Sequence, residues 1–395
     1  MLDFPLITTD SHFPAPLALA EKLPERYRSD VPRLDLRDDG AYLVRPLPFL
    51  TAEMDEMGMG SSGNNVTDAL AKGIRVDPDD EVEIARILQG NCCDEARPGF
   101  SVESRLEEME RDGVVGELLI RNLFGGPKDP EGDLLWCQIQ NDWAAAVFKD
   151  DFGAFAPSIV LPFSDIGAAA VELERAAALG LRPGLLPYFI PGHSFAHPEW
   201  EPLWQAAERA QVPLAFHVNG RGEFNGSSKV PTNLPGTHLT MMNYLFAATT
   251  ETLGALVNGG VFERHPDLQV GLIETGAGWL SWFMESSDYY HGSRYSTDPA
   301  RSLRAQMGVE ELELAPPSYY IRRNVRCSFM YDPSAIRNRH LTGLRSLMWG
   351  NDYPHAEGLF PNSRAINEKQ FDGVSPGEIM AIVHDNAAEY LGLTV

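Results

Sequence analysis

The sequence predicts an α/β protein: a single metal-dependent (β/α)8 TIM barrel over residues 1–395, with a long, partly helical insertion at about residues 20–105 between the first and second strands. Three observations carry that reading. Eight short β-rich runs alternate with helical patterns, the signature of parallel βα units. The chain is 395 residues long and 44% hydrophobic, enough for one barrel-sized core. Metal-capable side chains fall at the C-terminal ends of four of the runs, the end at which such barrels do their chemistry.

In order, the runs are PLITTDSH (5–12), GELLIRN (116–122), APSIVLP (156–162), GLLPYFIP (184–191), VPLAFHVNG (212–220), LQVGLIETG (268–276), VRCSFMYD (325–332) and LMWGNDYPH (347–355). Eight of them favour a closed barrel over an open doubly wound sheet. Helical patterns between them include 165–179, 198–211 and 375–391. The first connection carries an excess of roughly a hundred residues, far beyond one helix and two short loops. Inside it, Gly58-Met-Gly60-Ser-Ser-Gly63 has the form of a phosphate-binding motif but follows the acidic TAEMDEM rather than a strand. It therefore reads as the tip of a lid.

A formal charge of −24 argues against nucleic acid or an anionic membrane as partner. Arg322-Arg323-Asn324-Val325-Arg326 is the best local basic patch and reads as a solvated run. Without a basic leader or an apolar run of membrane-spanning length, the expected location is cytoplasmic. Cys92, Cys93, Cys137 and Cys327 are too few and too irregular for a disulfide framework, so all four are expected as thiols.

The candidate site comes from the strand ends. Asp10 and His12 close the first run, and their i, i+2 spacing turns both to one face of an extended chain. His217 closes the fifth run and Glu274 the sixth; Asp352 closes the eighth, with His355 and Glu357 just beyond it. Any one of these reads as an ordinary hydrogen-bonded polar residue. Gathered at one rim they read as metal ligands, because buried charge is costly unless paired or metal-bound. Gly350 and Pro354 are expected to shape the exit of the eighth strand so that Asp352 and His355 face inward. The other histidines are weaker candidates: His193 and His197 sit in a proline-flanked loop after the fourth strand, His265 precedes the sixth at the opposite face, and His340 and His384 belong to outer helices. His238 and His291 lie in connections that the sequence does not place.

Near the start DSH, then QNDWAAAVF, ELERAAALG, AFHVNG, GGVFERHPDLQVGLIETGAGWL, WGNDYPHAEG and HDNAAEYLGL together resemble the amidohydrolase-related (amidohydrolase 2) group of TIM barrels. The resemblance implies metal ligation by Asp10, His12, His217 and Asp352, and mononuclear zinc or manganese hydrolase or decarboxylase chemistry in which the strand-eight Asp352 handles a proton. Two departures stand out. Glu274 occupies the place of the sixth-strand histidine, and the first strand offers Asp-x-His where many hydrolases have His-x-His. Both replace imidazole by anionic oxygen and favour harder or additional metal.

That carboxylate-rich set, DYPHAEG and the long insertion resemble the subgroup of TIM-barrel nonheme di-iron monooxygenases of platensimycin and platencin biosynthesis. This second resemblance implies two iron ions, held by Asp10, His12, His217, Glu274, Asp352 and His355, with Glu357 as ligand or orienter beside Asp352. It also implies dioxygen, an external electron donor and a CoA-linked acyl substrate. The expected function is therefore hydroxylation of that acyl group by a monooxygenase, with homodimerisation expected by analogy. The alternative is a mononuclear zinc- or manganese-dependent hydrolase or decarboxylase using Asp352 as acid or base, and a metal-free binding protein is the third class.

Overall fold

The computed structural model describes residues 4–44, 72–90, 92–121, 126–188, 190, 193–217, 237–293 and 314–395; the Gly58–Gly63 motif lies outside them. Strands β1 (Leu6–Thr8) and β2 (His12–Phe13) open the barrel. A separate antiparallel sheet follows, of β3 (Arg33–Arg37), β4 (Gly40–Val44) and β5 (Ile74–Val76). The barrel resumes with β6 (Val114–Arg121), β7 (Phe155–Pro157), β8 (Gly184–Pro187), β9 (Leu214–His217), β10 (Val270–Leu272), β11 (Val325–Phe329) and β12 (Leu347–Trp349). All seven fall within the runs expected from sequence, allowing a residue or two at the ends.

Pairing is parallel from β1 through β6 to β7 and from β8 through to β12. Two seams close the ring. An Ile159–Gly184 bridge joins β7 to β8. At the other seam Ser11 pairs with Tyr353, the Thr9 amide donates to the Trp349 carbonyl (3.0 Å), and the Asp352 amide donates to the Asp10 carbonyl (2.9 Å).

Alternation along the strands then sorts side chains by face. Ile7, Leu118, Ile120, Val160, Leu185, Ala215, Ile273 and Met348 fill the barrel interior, while Leu6, Leu119, Leu186, Phe216, Leu272, Leu347 and Trp349 face the surrounding helices. Each such fully buried aliphatic or aromatic side chain contributes about 1.5–3 kcal/mol. The lower end is plugged by the last helix, Asn386–Leu391: the Tyr390 hydroxyl donates to the Leu214 carbonyl (2.7 Å) inside the ring. Gly271 leaves room for it, since a Cβ there would lie 2.5 Å from that hydroxyl.

The outer helices carry their own start signals. Asp165 caps Ile166–Ala178 by accepting from the Ala168 amide, and Asp129 caps Pro130–Phe148 through the Gly132 amide. Between β2 and β6, Asp80 caps the helix Glu81–Gln89 and Ser101 caps Val102–Asp112. The basic patch is not a solvated run: Asn324, Val325 and Arg326 are buried, and Arg326 on β11 is bonded to Gln269 and Glu389. All four cysteines are free thiols. Among the described residues, no helix is long and apolar enough to cross a membrane.

Candidate metal centre

The upper rim of the barrel brings together all seven residues singled out from the sequence. Three overlapping groups can each hold an ion, with ligand atoms within 4.8 Å of one another: Asp10, His12 and His217; His12, Asp352 and His355; and Glu274, Asp352 and Glu357. His217 follows inward-facing Ala215 by two residues on β9 and so faces the same interior. Its Nε2 lies 3.2 Å from Glu274 Oε2 and 3.5 Å from Asp10 Oδ1. His12 Nε2 is 3.1 Å from Asp352 Oδ1, and His355 Nδ1 is 2.8 Å from the same oxygen. Asp10 and Asp352 are completely buried and Glu357 is exposed.

Local backbone aims these groups. Glu274 and Asp352 adopt φ of 63° and 54°, the left-handed region that non-glycine residues rarely occupy and that costs of order 1–3 kcal/mol where it occurs. Each bend turns a carboxylate into the rim just past its strand. The first is braced by Tyr188, which directly follows β8 and donates its hydroxyl to the Ile273 carbonyl (2.7 Å). Beside the second, Gly350 leaves the space into which Asp10 packs: a Cβ at Gly350 would stand 2.6 Å from Asp10 Cβ.

The electrostatics of the cluster ask for a cation. Burial, reinforced by the charge of Asp352, raises the pKa values of Asp10 and Glu274 well above the usual carboxylate range. Burial likewise pushes His12 down to about 3, so that it is the neutral imidazole a metal requires. For Asp352 burial acts in the opposite sense but is outweighed by hydrogen bonds from His12 and His355, which hold the carboxyl below its ordinary value. His355 is raised to about 9: burial opposes its charge, and its bond to Asp352 and the neighbouring carboxylates prevail. Both Asp10 carboxylate oxygens and Asp352 Oδ2 are buried with no hydrogen-bond partner. Buried acceptors in that state are rare in folded proteins, and a bound divalent cation satisfies them.

Other histidines lie away from the rim. His193 and His197 are exposed beside Glu199, and His265 is held between Glu201 and Glu208. His340 is exposed on the helix Pro333–Thr342 and His384 lies in the C-terminal helical segment. Sequence reasoning missed the residues behind the cluster, Tyr188, Arg105, Glu108 and Asp112. Of these, only Tyr188 lies within a strand run expected from the sequence, GLLPYFIP (184–191).

The chain is 24% identical over 314 residues to 2-amino-3-carboxymuconate-6-semialdehyde decarboxylase of Dictyostelium discoideum, covering 78% of this chain and 79% of that one. Its fold matches 5-carboxyvanillate decarboxylase of Sphingomonas paucimobilis, with a TM-score of 0.68 at 21% identity over 99% of this chain and 100% of that one. It also matches the 5-carboxyvanillate decarboxylase of Novosphingobium aromaticivorans complexed with manganese and 4-hydroxy-3-methoxy-5-nitrobenzoic acid, with a TM-score of 0.67 at 16% identity over 99% and 97% of the two chains.

These relatives overturn the monooxygenase expectation: with decarboxylases among them, the oxidoreductase reading fails, and with it the two iron ions, the CoA-linked acyl substrate, the dioxygen and the external electron donor. The resemblance to the platensimycin and platencin subgroup falls for the same reason. The error was to read abundant carboxylate as a sign of iron, because oxygen donors suit manganese equally well. The alternative, zinc or manganese with decarboxylation, is the better supported. The amidohydrolase family model matches residues 95–393, which contain β6 to β12 and five of the seven rim residues, and the chain belongs to the amidohydrolase family.

Proposed function

We propose that this protein is a decarboxylase of small aromatic carboxylic acids that depends on a single manganese or zinc ion and consumes no oxygen. The observation that carries the proposal is that the buried group Asp10, His12 and His217 is joined through His12 Nε2 to Asp352, with carboxylate oxygens of both aspartates left unpartnered. These four would hold the ion, with Glu274 in the position that the sequence assigns to a sixth-strand ligand. Bound there, the ion supplies positive charge that attracts the substrate carboxylate and a neighbouring phenolate oxygen.

The chain's own residues then have two tasks. The enclosed rim holds the ring against the proton donor and keeps water away from the reacting carbon. The donor is the Asp352–His355 pair, in which His355 Nδ1 lies 2.8 Å from Asp352 Oδ1. The reaction is balanced by that one proton. The bond from ring carbon to carboxylate breaks, its electron pair stays on the ring carbon, the proton takes the vacated position, and carbon dioxide leaves.

The test is a panel of hydroxybenzoic acids given to manganese-loaded protein in deuterated buffer under nitrogen. Carbon dioxide release with one deuterium on the vacated ring carbon is expected, with loss of turnover in EDTA and in Asp352→Asn. Turnover that needs oxygen, or none from fully loaded protein across the panel, would overturn the reading.

A further inference from the structure

One helix outside the cluster buries charge where an outer barrel helix normally buries apolar groups. On Val102–Asp112, the residues Arg105, Glu108 and Asp112 follow the i, i+3, i+7 spacing of a single face and are only 3–5% exposed. Their partners are not scattered. Arg105 donates through Nη2 to the Ser11 hydroxyl and through Nε to Glu117 (2.6 Å), and its guanidinium lies 3.9 Å from the centre of the Tyr353 ring. Glu108 accepts from the Tyr353 hydroxyl (2.9 Å). Asp112 accepts from the Asn351 side-chain amide (2.9 Å) and from Ser363.

Ser11 sits between Asp10 and His12, while Asn351 and Tyr353 flank Asp352. The buried face of this helix therefore touches Ser11, Asn351 and Tyr353, three chain neighbours of the rim residues at the β1–β12 seam. Asn351 is further tied to Thr8 of β1, accepting from its hydroxyl (2.9 Å), so the two strands are bound to each other as well as to the helix.

We propose that Arg105, Glu108 and Asp112 are positioning residues for the metal centre, fixing Asp10, His12 and Asp352 through Ser11, Asn351 and Tyr353. Part of the cost of burying these charges is offset by the Arg105–Glu117 ion pair and by the hydrogen bonds that Glu108 and Asp112 accept. Removing such supports around metal ligands typically weakens metal binding by about 10–100-fold. The inference rests on the metal reading above.

The experiment must separate positioning from simple stability. Arg105→Met alone strands Glu117 in the interior, so the variant of choice is the double Arg105→Met/Glu117→Leu, which replaces a buried ion pair by apolar groups and is often tolerated. Tyr353→Phe, which removes only the hydroxyl held by Glu108, is the milder companion. Manganese affinity is measured by calorimetry on EDTA-treated protein, the ion's surroundings by its paramagnetic resonance spectrum, and folding by near-ultraviolet circular dichroism and melting without metal.

Both variants are expected to fold, to bind manganese about 10–100-fold more weakly, and to give a broadened or shifted spectrum. Tyr353→Phe with unchanged affinity and spectrum would overturn the proposal, as would a folded double variant that binds like wild type. If the double variant fails to fold, Tyr353→Phe decides alone. Wild-type protein that binds no divalent ion would instead overturn the metal reading itself and this inference with it.

Discussion

Gly350→Ala tests the geometry of the rim most directly. The added Cβ would stand 2.6 Å from Asp10 Cβ and 3.2 Å from both the Asp10 amide nitrogen and Ser328 Oγ. Non-bonded carbons rest at about 3.5–4.0 Å, so Asp10 must retreat by about 1 Å. It cannot do so alone, because its carbonyl is bound to the Asp352 amide and Thr8 lies against its backbone. Two consequences differ in size. Overfilling a packed interior costs about 1–3 kcal/mol of stability. A misplacement of about 1 Å at reacting groups costs on the order of 100-fold in rate.

Thermal melting in EDTA reads the first consequence, and manganese titration with carbon dioxide release reads the second. Gly377→Ala is the control: nothing lies within 4 Å of a Cβ there, on the helix Pro376–Met380. It should gain about 0.5–1 kcal/mol. A Gly350→Ala protein that binds manganese and turns over within roughly twofold of wild type would show that Asp10 does not depend on this packing, and the rim argument would fail.

Three further outcomes follow from the same cluster. In EDTA, the urea midpoint should fall between pH 6.5 and about 9. The unfolded chain releases the His355 proton near 6.5 whereas the folded chain keeps it to about 9, so that stability is present below this window and lost as pH rises through it. Asp10 and Glu274, raised in the folded state, act in the same direction from their ordinary carboxyl values upward; a decline that manganese leaves wholly unaltered would refute the assignment. Asp10→Asn should abolish tight manganese binding while raising the metal-free melting temperature, since an unpaired buried carboxyl is replaced by a neutral group; a lower melting temperature contradicts this. His265→Ala, at the far end of the barrel, should cost about 1–3 kcal/mol by removing its two bonds to Glu201 and Glu208, yet leave manganese affinity unchanged in the same calorimetric titration.

The barrel was legible because its strands obey a simple rule. Runs such as VPLAF and LQVGL are short and apolar, and punctuated where the chain must turn. The candidate rim was legible for a related reason: His217 and Glu274 are polar residues placed at the ends of such runs. The antiparallel β3–β5 sheet was less so, although its signal was present. Arg33–Arg37 and Gly40–Val44 flank Asp38-Asp39, and the Asp-Asp-Gly sequence between alternating residues is a hairpin mark. The charges of Arg105, Glu108 and Asp112 could not be read as buried. Spacing of i, i+3 and i+7 on a charged helix describes a solvated face equally well, and only the tertiary fold shows which side meets β12. The chemistry was misjudged because donor composition constrains the ion weakly and the reaction hardly at all.

The His12–Asp352 contact joins positions 340 residues apart across the seam. Asp10 and His12 are thus made early in synthesis and Asp352 almost at its finish, so no nascent fragment shorter than about nine-tenths of the chain can assemble the candidate site. On the metal reading proposed above, manganese uptake would report that the ring has been joined, and truncated or swapped products would announce themselves by failing to take it up.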